Sequence, residues 1–213
     1  MTIMAILTSI LLVSISGIKD SRNLTTSAYT IQGILEQART LAMATGTYTW
    51  VGFFEEDPSN PGTSGVGQVV ISVVSSLDGT KLYTNASPPT KLPSASLNQV
   101  ASLIKLPNVH LDVLTAAAVP RPSVPAATYQ VASTSFPNTT TLIYPLTGTA
   151  RYTFSHIVQF SPQGDATRIV DVPTQVMEIG LRSTHGNVVS TTSTNVIALQ
   201  INGIGGHVTM YRP

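Results

Sequence analysis

The stretch SAYTIQGILEQARTLAMATGTYTWVGF, residues 27–53, decides the fold. Its first part repeats apolar residues at three- and four-residue steps, which is typical of one face of an α-helix. Gly46 supplies a helix end. The β-branched and aromatic residues of 47–56 then predict a strand, with Tyr48 and Trp50 on one face. The chain therefore changes from helix to sheet within this stretch.

The apolar pattern also extends towards the N-terminus. No proline occurs between Met1 and Thr45, and no charged residue occurs before Lys19. These features predict one helix through about Ala42, whose first half is apolar nearly all round. Such a half can lie in lipid or among sister helices. The residues expected to mediate assembly are Ile3, Ile6, Leu7, Ile10, Leu11 and Val13.

The second half of this helix is amphipathic, so we expect it to pack on the protein's own sheet. The residues expected to make that contact are Ala28, Ile31, Ile34, Leu35, Ala38 and Leu41. Two alternatives remain for the first half. It can be a fully buried helix, or a cleaved secretory signal with small residues at Ser14-Ile15-Ser16, although the positive leader of such signals is missing. If the first half is a cleaved secretory signal, we expect the helix to break near Gly17.

Composition limits the function. The chain has 213 residues, of which only 10% are charged, and its formal net charge is +1. No basic surface is therefore expected for nucleic acid. The absence of cysteine excludes disulfides and thiolate metal sites. We predict an α+β fold, with a membrane and assembly helix over residues 1–46 and a β-rich head with one core over residues 47–213.

Turn residues divide the rest of the chain into strands. Gln68 to Ser76 reads as a second strand that forms a long hairpin with the first. Ala116 to Ala127 contains three prolines among small residues and is predicted to be an exposed loop. Val196 to Arg212 is predicted to form an antiparallel hairpin that turns at Gly203–Gly206.

No group of residues predicts catalysis. The four histidines are far apart in sequence, and no nucleophile elbow, phosphate-binding loop or dinucleotide fingerprint occurs. Glu55-Glu56-Asp57 with Ser59 and Asn60 offers oxygen ligands for calcium, but the spacing is not that of an EF-hand. We interpret this cluster as a solvated strand end. The sequence therefore predicts no enzyme, no metal and no cofactor.

Three stretches resemble pilins and pseudopilins of type IV pili and type II secretion. Ile34 to Glu56 is similar to the pilin-like family labelled Verru/Chthon cassette protein D. IVQFSPQGDATRI (residues 157–169) resembles a strand–turn–strand of the H and FimT pseudopilins, and Val196 to Pro213 resembles their closing hairpin. The family's basic leader, with its phenylalanine and its glutamate, has no counterpart here. Processing, N-methylation and the acidic assembly residue are therefore assigned to no position.

The resemblance implies a structural subunit of a bacterial surface filament or secretion pseudopilus. Its partners would be other pilin-like subunits, and it would reside in the inner membrane before assembly and at the cell surface afterwards. The alternative is an exported β-sandwich adhesin or glycan-binding module with an N-terminal anchor or signal. A hydrolase built from distant Ser, His and Asp residues ranks third, because no local motif supports it.

Overall fold

The computed structural model describes residues 2–82, 90–136, 140–168, 173, 176–190 and 195–213, with helix side chains described from Ser21 onward. Helix α1 spans Thr2–Thr45. The helix is continuous through residue 17, where the cleaved-signal alternative predicted a break. Gly46 follows the helix with a φ of 64°. This is the left-handed conformation that commonly ends a helix.

Strands make up most of the remaining regular structure. In chain order they are β1 Thr49–Glu56, β2 Gln68–Ser76, β3 Leu97–Gln99, β4 Ile104–Pro107, β5 Val109–Asp112, β6 Leu142–Tyr144, β7 Tyr152–Phe154, β8 His156–Phe160, β9 Ala166–Arg168, β10 Val176–His185, β11 Val188–Val189, β12 Val196–Asn202 and β13 Val208–Tyr211. The predicted α+β class is therefore wrong, because the described residues form a mostly β fold with one α-helix. The strands supply most of the residues of the hydrophobic cores, and the helix packs against them.

The strands form two main antiparallel sheets. The first sheet has the order β3-β2-β1-β8-β9, with β4 also paired to β2. The second sheet has the order β11-β10-β12-β13, with β5 also paired to β10. Strands β6 and β7 form a small separate pair. The predicted hairpin of β1 and β2 is confirmed, with Thr49 opposite Ser75 and Glu56 opposite Gln68.

The main core lies where α1 packs against both sheets. Strand β1 places Val51 and Phe53 in this core, while Trp50 points into a second cluster on the opposite face of the first sheet. The predicted alternation of faces is therefore confirmed. A Cβ on Gly52 would lie 2.8 Å from the Cβ of Phe154. The missing side chain thus allows β7 to cross close to β1.

The outer face of the second sheet is covered by residues 113–130. Leu114 and Val119 are buried against Val196 and Ala198 of β12. The side chain of Arg121 is also fully buried. The prediction of an exposed loop over Ala116 to Ala127 is confirmed for most of its residues, but Val119 and the Arg121 side chain are buried. The prolines exclude regular structure, but a buried ion pair holds the segment on the sheet.

The C-terminal hairpin is confirmed. Strands β12 and β13 pair from Ala198 opposite Tyr211 to Ile201 opposite Val208. The Gly206 N–H donates to the Asn202 carbonyl at 2.7 Å, which closes the turn. Gly206 has a φ of 66°, a conformation that glycine adopts without steric cost.

Candidate functional site

Helix α1 sits on the sheets through one apolar stripe. The stripe follows alternating steps of four and three residues, and each member is buried in the main core: Leu24, Ala28, Ile31, Leu35, Ala38 and Ala42. Ile34, at the border of the stripe, is also buried. Leu41 was expected to make this contact, but it is only half-buried and lines a groove with Leu77. Leu41 is one position off the stripe, and Ala42 takes its place.

Polar helix residues bind the edge strand β13. Glu36 Oε1 accepts a hydrogen bond from the Val208 N–H at 2.8 Å, and Gln32 Nε2 donates to the Val208 carbonyl at 3.2 Å. An edge strand carries backbone groups without a neighbouring strand, and such groups are open to pairing with other chains. These side chains satisfy both groups of Val208. This role was not predicted from the sequence, although Gln32 and Glu36 are one helical turn apart beside the apolar stripe.

The last turns of α1 meet two glycine turns. Arg39 Nε lies 3.4 Å from the Gly164 carbonyl oxygen, to which it donates. The Ala166 N–H donates to the Gly203 carbonyl at 2.7 Å, which joins the β8–β9 turn to the β12–β13 turn. The two turns span residues 161–165 and 203–206. They pack together beside the helix.

The residues expected to mediate assembly are Ile3, Ile6, Leu7, Ile10, Leu11 and Val13, and their side chains lie outside the described set. Their backbone belongs to α1. Among the helical residues described with their side chains, no segment is long and apolar enough to cross a membrane. On the side of the helix away from the core, Tyr29 is 60% exposed.

The interpretation of the acidic cluster as a solvated strand end is wrong for Glu56, which is buried. Its carboxylate is buried and accepts hydrogen bonds from Lys105 Nζ at 2.5 Å, the Gly62 N–H at 2.7 Å and Gln68 Nε2 at 2.8 Å. Burial alone would raise the pKa of Glu56, but the hydrogen bonds from Lys105 and Gly62 outweigh it and lower the pKa. Within the described residues, no group of three or more His, Cys, Asp or Glu side chains is arranged to hold a metal.

Residues remote in sequence line a cleft at the end of β1. Glu55 Oε1 lies 2.6 Å from His110 Nδ1. His156 and Ser155 approach from the opposite side, with Ser155 Oγ 3.4 Å from His156 Nδ1. The cleft is open on one side and has a volume of about 340 Å³. The sequence analysis treated these histidines as isolated, because no short spacing links residues 55, 110 and 156.

The stability of the protein is expected to fall in mild acid because of His156. Burial lowers the pKa of its imidazole below the ordinary 6.5, although a hydrogen bond with the Ser133 backbone acts in the opposite direction. The unfolded state therefore binds more protons, and the free energy of unfolding decreases as the pH falls from about 6.5 through the folded-state pKa. Denaturant unfolding between pH 7.5 and 5 should show less of this loss in His156→Gln. The exposed His207→Gln serves as the control, and equal pH profiles for all three proteins would contradict the assignment.

Comparisons with family models, curated proteins and solved structures gave no match for this chain. The pilin-like resemblance therefore stays an expectation drawn from the sequence.

Proposed function

We propose that this protein is a structural subunit, pilin-like or pseudopilin-like, that assembles into a filament by packing of α1. The observation that carries the proposal is the position of the helix. Among the helix residues whose side chains are described, from Ser21 onward, Leu24 is the first that is buried against the sheets, and the helix itself begins at Thr2. The uncharged residues from Thr2 to Ile18 therefore lie N-terminal to Leu24 on the same helix.

This arrangement suits a subunit in which packing of the helix determines the orientation of the head. At a rise of about 1.5 Å per residue, α1 is roughly 65 Å long. Its second half is fixed by burial in the main core and by the Gln32 and Glu36 hydrogen bonds to β13. Packing of the first half among sister helices would then set the orientation of the β-rich head. Burial of apolar surface drives this association, and small residues such as Ala5 and Ser9 permit close approach.

The proposed partners follow from the same segment. They are other pilin-like subunits, in a homo- or hetero-oligomeric filament, and the inner membrane before assembly. The assembled protein would then be found at the cell surface. Its charge balance gives it no basis for binding nucleic acid, because it has 11 basic and 10 acidic residues.

Replacing Ile6 by aspartate is expected to prevent incorporation into filaments. A charge among apolar helices or in lipid costs about 3 kcal/mol or more, which corresponds to a loss of assembled protein of about 100-fold. The measurement is the fraction of protein in sheared filaments and in membranes, determined by fractionation and immunoblotting.

The matched control is Thr26→Asp, which places the same charge on an exposed position of the same helix. Thr26→Asp should unfold at the wild-type temperature, because Thr26 is exposed. Thermal unfolding of both variants checks that the β-rich head stays folded. Wild-type assembly of the Ile6→Asp protein would reject the filament function.

A further inference from the structure

The cleft at the end of β1 is a second feature with the properties of a site, and it is separate from the apolar stripe of α1. It is bordered by β1, residues 64–66, β5 and the β7–β8 connection. Its volume of about 340 Å³ is at the lower end of the range of about 300–1,000 Å³ for ligand pockets. A ligand that fits it is therefore small.

Exposed polar groups surround this cleft. Glu55 Oε1 is held by His110, whereas Glu55 Oε2 accepts no hydrogen bond from the residues that the structure describes. Ser64, Thr153 and Ser155 are exposed and add three hydroxyl groups to the lining. Each hydroxyl can donate and accept. The cleft thus combines a fixed acceptor with several adaptable partners.

Apolar surface lies between these polar groups. Phe54, Val66 and Leu111 line the cleft. The Phe54 ring is held edge-on against Tyr152, with ring centroids 5.7 Å apart, and against Phe154 at 6.2 Å. Its position is therefore fixed before any ligand arrives. A ligand that uses both kinds of surface must carry C–H faces as well as hydroxyl groups.

The charged residues around the cleft further limit the class of ligand that it can bind. No lysine or arginine is among the residues that line the described cleft. Anions such as phosphate would meet the Glu55 carboxylate, and His156, the histidine of the lining, has its pKa lowered by burial, which disfavours a compensating positive charge. Glu55 is already paired with His110, which makes it a weaker attractor for ammonium groups. A neutral ligand with several hydroxyls fits these conditions best.

We propose that this cleft binds a neutral saccharide unit. The Glu55 carboxylate accepts hydrogen bonds from sugar hydroxyls, Ser64, Thr153 and Ser155 bind the remaining polar groups, and Phe54 and Leu111 contact a C–H face. The head of the subunit would then recognise a glycan, in addition to the proposed assembly through α1.

The test is ligand titration of the full chain by saturation-transfer NMR, with D-glucose, D-galactose, D-mannose and N-acetyl-D-glucosamine as probes and spermidine as a cationic comparison. We expect at least one sugar to bind with a Kd of about 1 mM or below. Hydrogen bonds to a charged group contribute about 1.5–3 kcal/mol, so Glu55→Gln should weaken binding by about 10-fold or more. Glu55→Gln keeps an oxygen for His110, and thermal unfolding checks that it folds.

Asp78→Asn is the matched control, because it removes one negative charge from an exposed turn outside the cleft and should leave sugar binding unchanged. Ser155→Phe, at an exposed position, should block the cleft and abolish binding. The proposal is overturned if no sugar binds, if spermidine binds in place of the sugars, or if Glu55→Gln and Ser155→Phe bind as the wild type does. Assembly of Glu55→Gln into filaments, measured separately, should stay normal.

Discussion

Replacing Arg121 by methionine is expected to lower the free energy of unfolding by about 3–5 kcal/mol, because removal of one partner leaves the other as an uncompensated buried charge. The side chains of Arg121 and Glu178 are both fully buried. Arg121 Nε and Nη2 contact the two carboxylate oxygens at 2.6 and 2.7 Å. Its nitrogens also donate to the carbonyls of Leu114, Thr115 and Val119. Equilibrium unfolding in urea measures the loss.

The control for Arg121→Met is Arg182→Met. Arg182 Nε lies 2.7 Å from Asp112 Oδ2, but both side chains are partly exposed. Exposed pairs contribute at most about 1 kcal/mol, so this variant should lose much less stability. Combining Arg121→Met with Glu178→Met should recover most of the loss, since no unpaired charge remains. Equal losses in the two single variants would show that Arg121 does not anchor residues 113–130.

Replacing Gly206 by alanine is expected to cost about 2–5 kcal/mol, from the left-handed backbone and from one lost hydrogen bond. The φ of Gly206 is 66°, and an added Cβ would clash with the Gly164 carbonyl oxygen. To relieve the clash, the β12–β13 turn must move away from the β8–β9 turn. The hydrogen bond from the Ala166 N–H to the Gly203 carbonyl would then break. Thermal and urea unfolding provide the measurement.

Gly186→Ala separates the two causes. Gly186 has a φ of 60°, but no atom lies within 4 Å of the position its Cβ would take. It should therefore show only the backbone cost, about 1–2 kcal/mol. If Gly206→Ala is no more destabilising than Gly186→Ala, the contact between the two turns contributes little to stability.

Local patterns predicted the helix and the terminal hairpin correctly. The helix residues that are buried against the sheets recur at regular steps along the sequence. The C-terminal hairpin contains the glycines of its own turn, Gly203–Gly206. Between residues 97 and 144, strands such as Val109 to Leu114 were expected but their boundaries could not be predicted, because β3 to β6 have only three or four residues. Alternation cannot be recognised over so short a length. The importance of the helix was consequently overestimated, and the fold class was wrong.

Long-range pairing explains the remaining errors. Arg121 is 57 residues from Glu178, and Lys105 is 49 residues from Glu56. Nothing near these residues in sequence indicates that they are buried with a partner. The same holds for Glu55 and His110, which are 55 residues apart. Glu55 lines the cleft at the end of β1, and this cleft could be found only from the fold.

The contacts between α1 and β13 also determine when the helix can dock during synthesis. Val208 lies 176 residues after Gln32 and 172 residues after Glu36. At about 5–20 residues per second, the ribosome needs roughly 10–30 s to make the intervening chain. During that interval the apolar stripe lacks the last strand that covers it. The hydrogen bonds that fix Gln32 and Glu36 to β13 therefore form only after nearly the whole chain has been made.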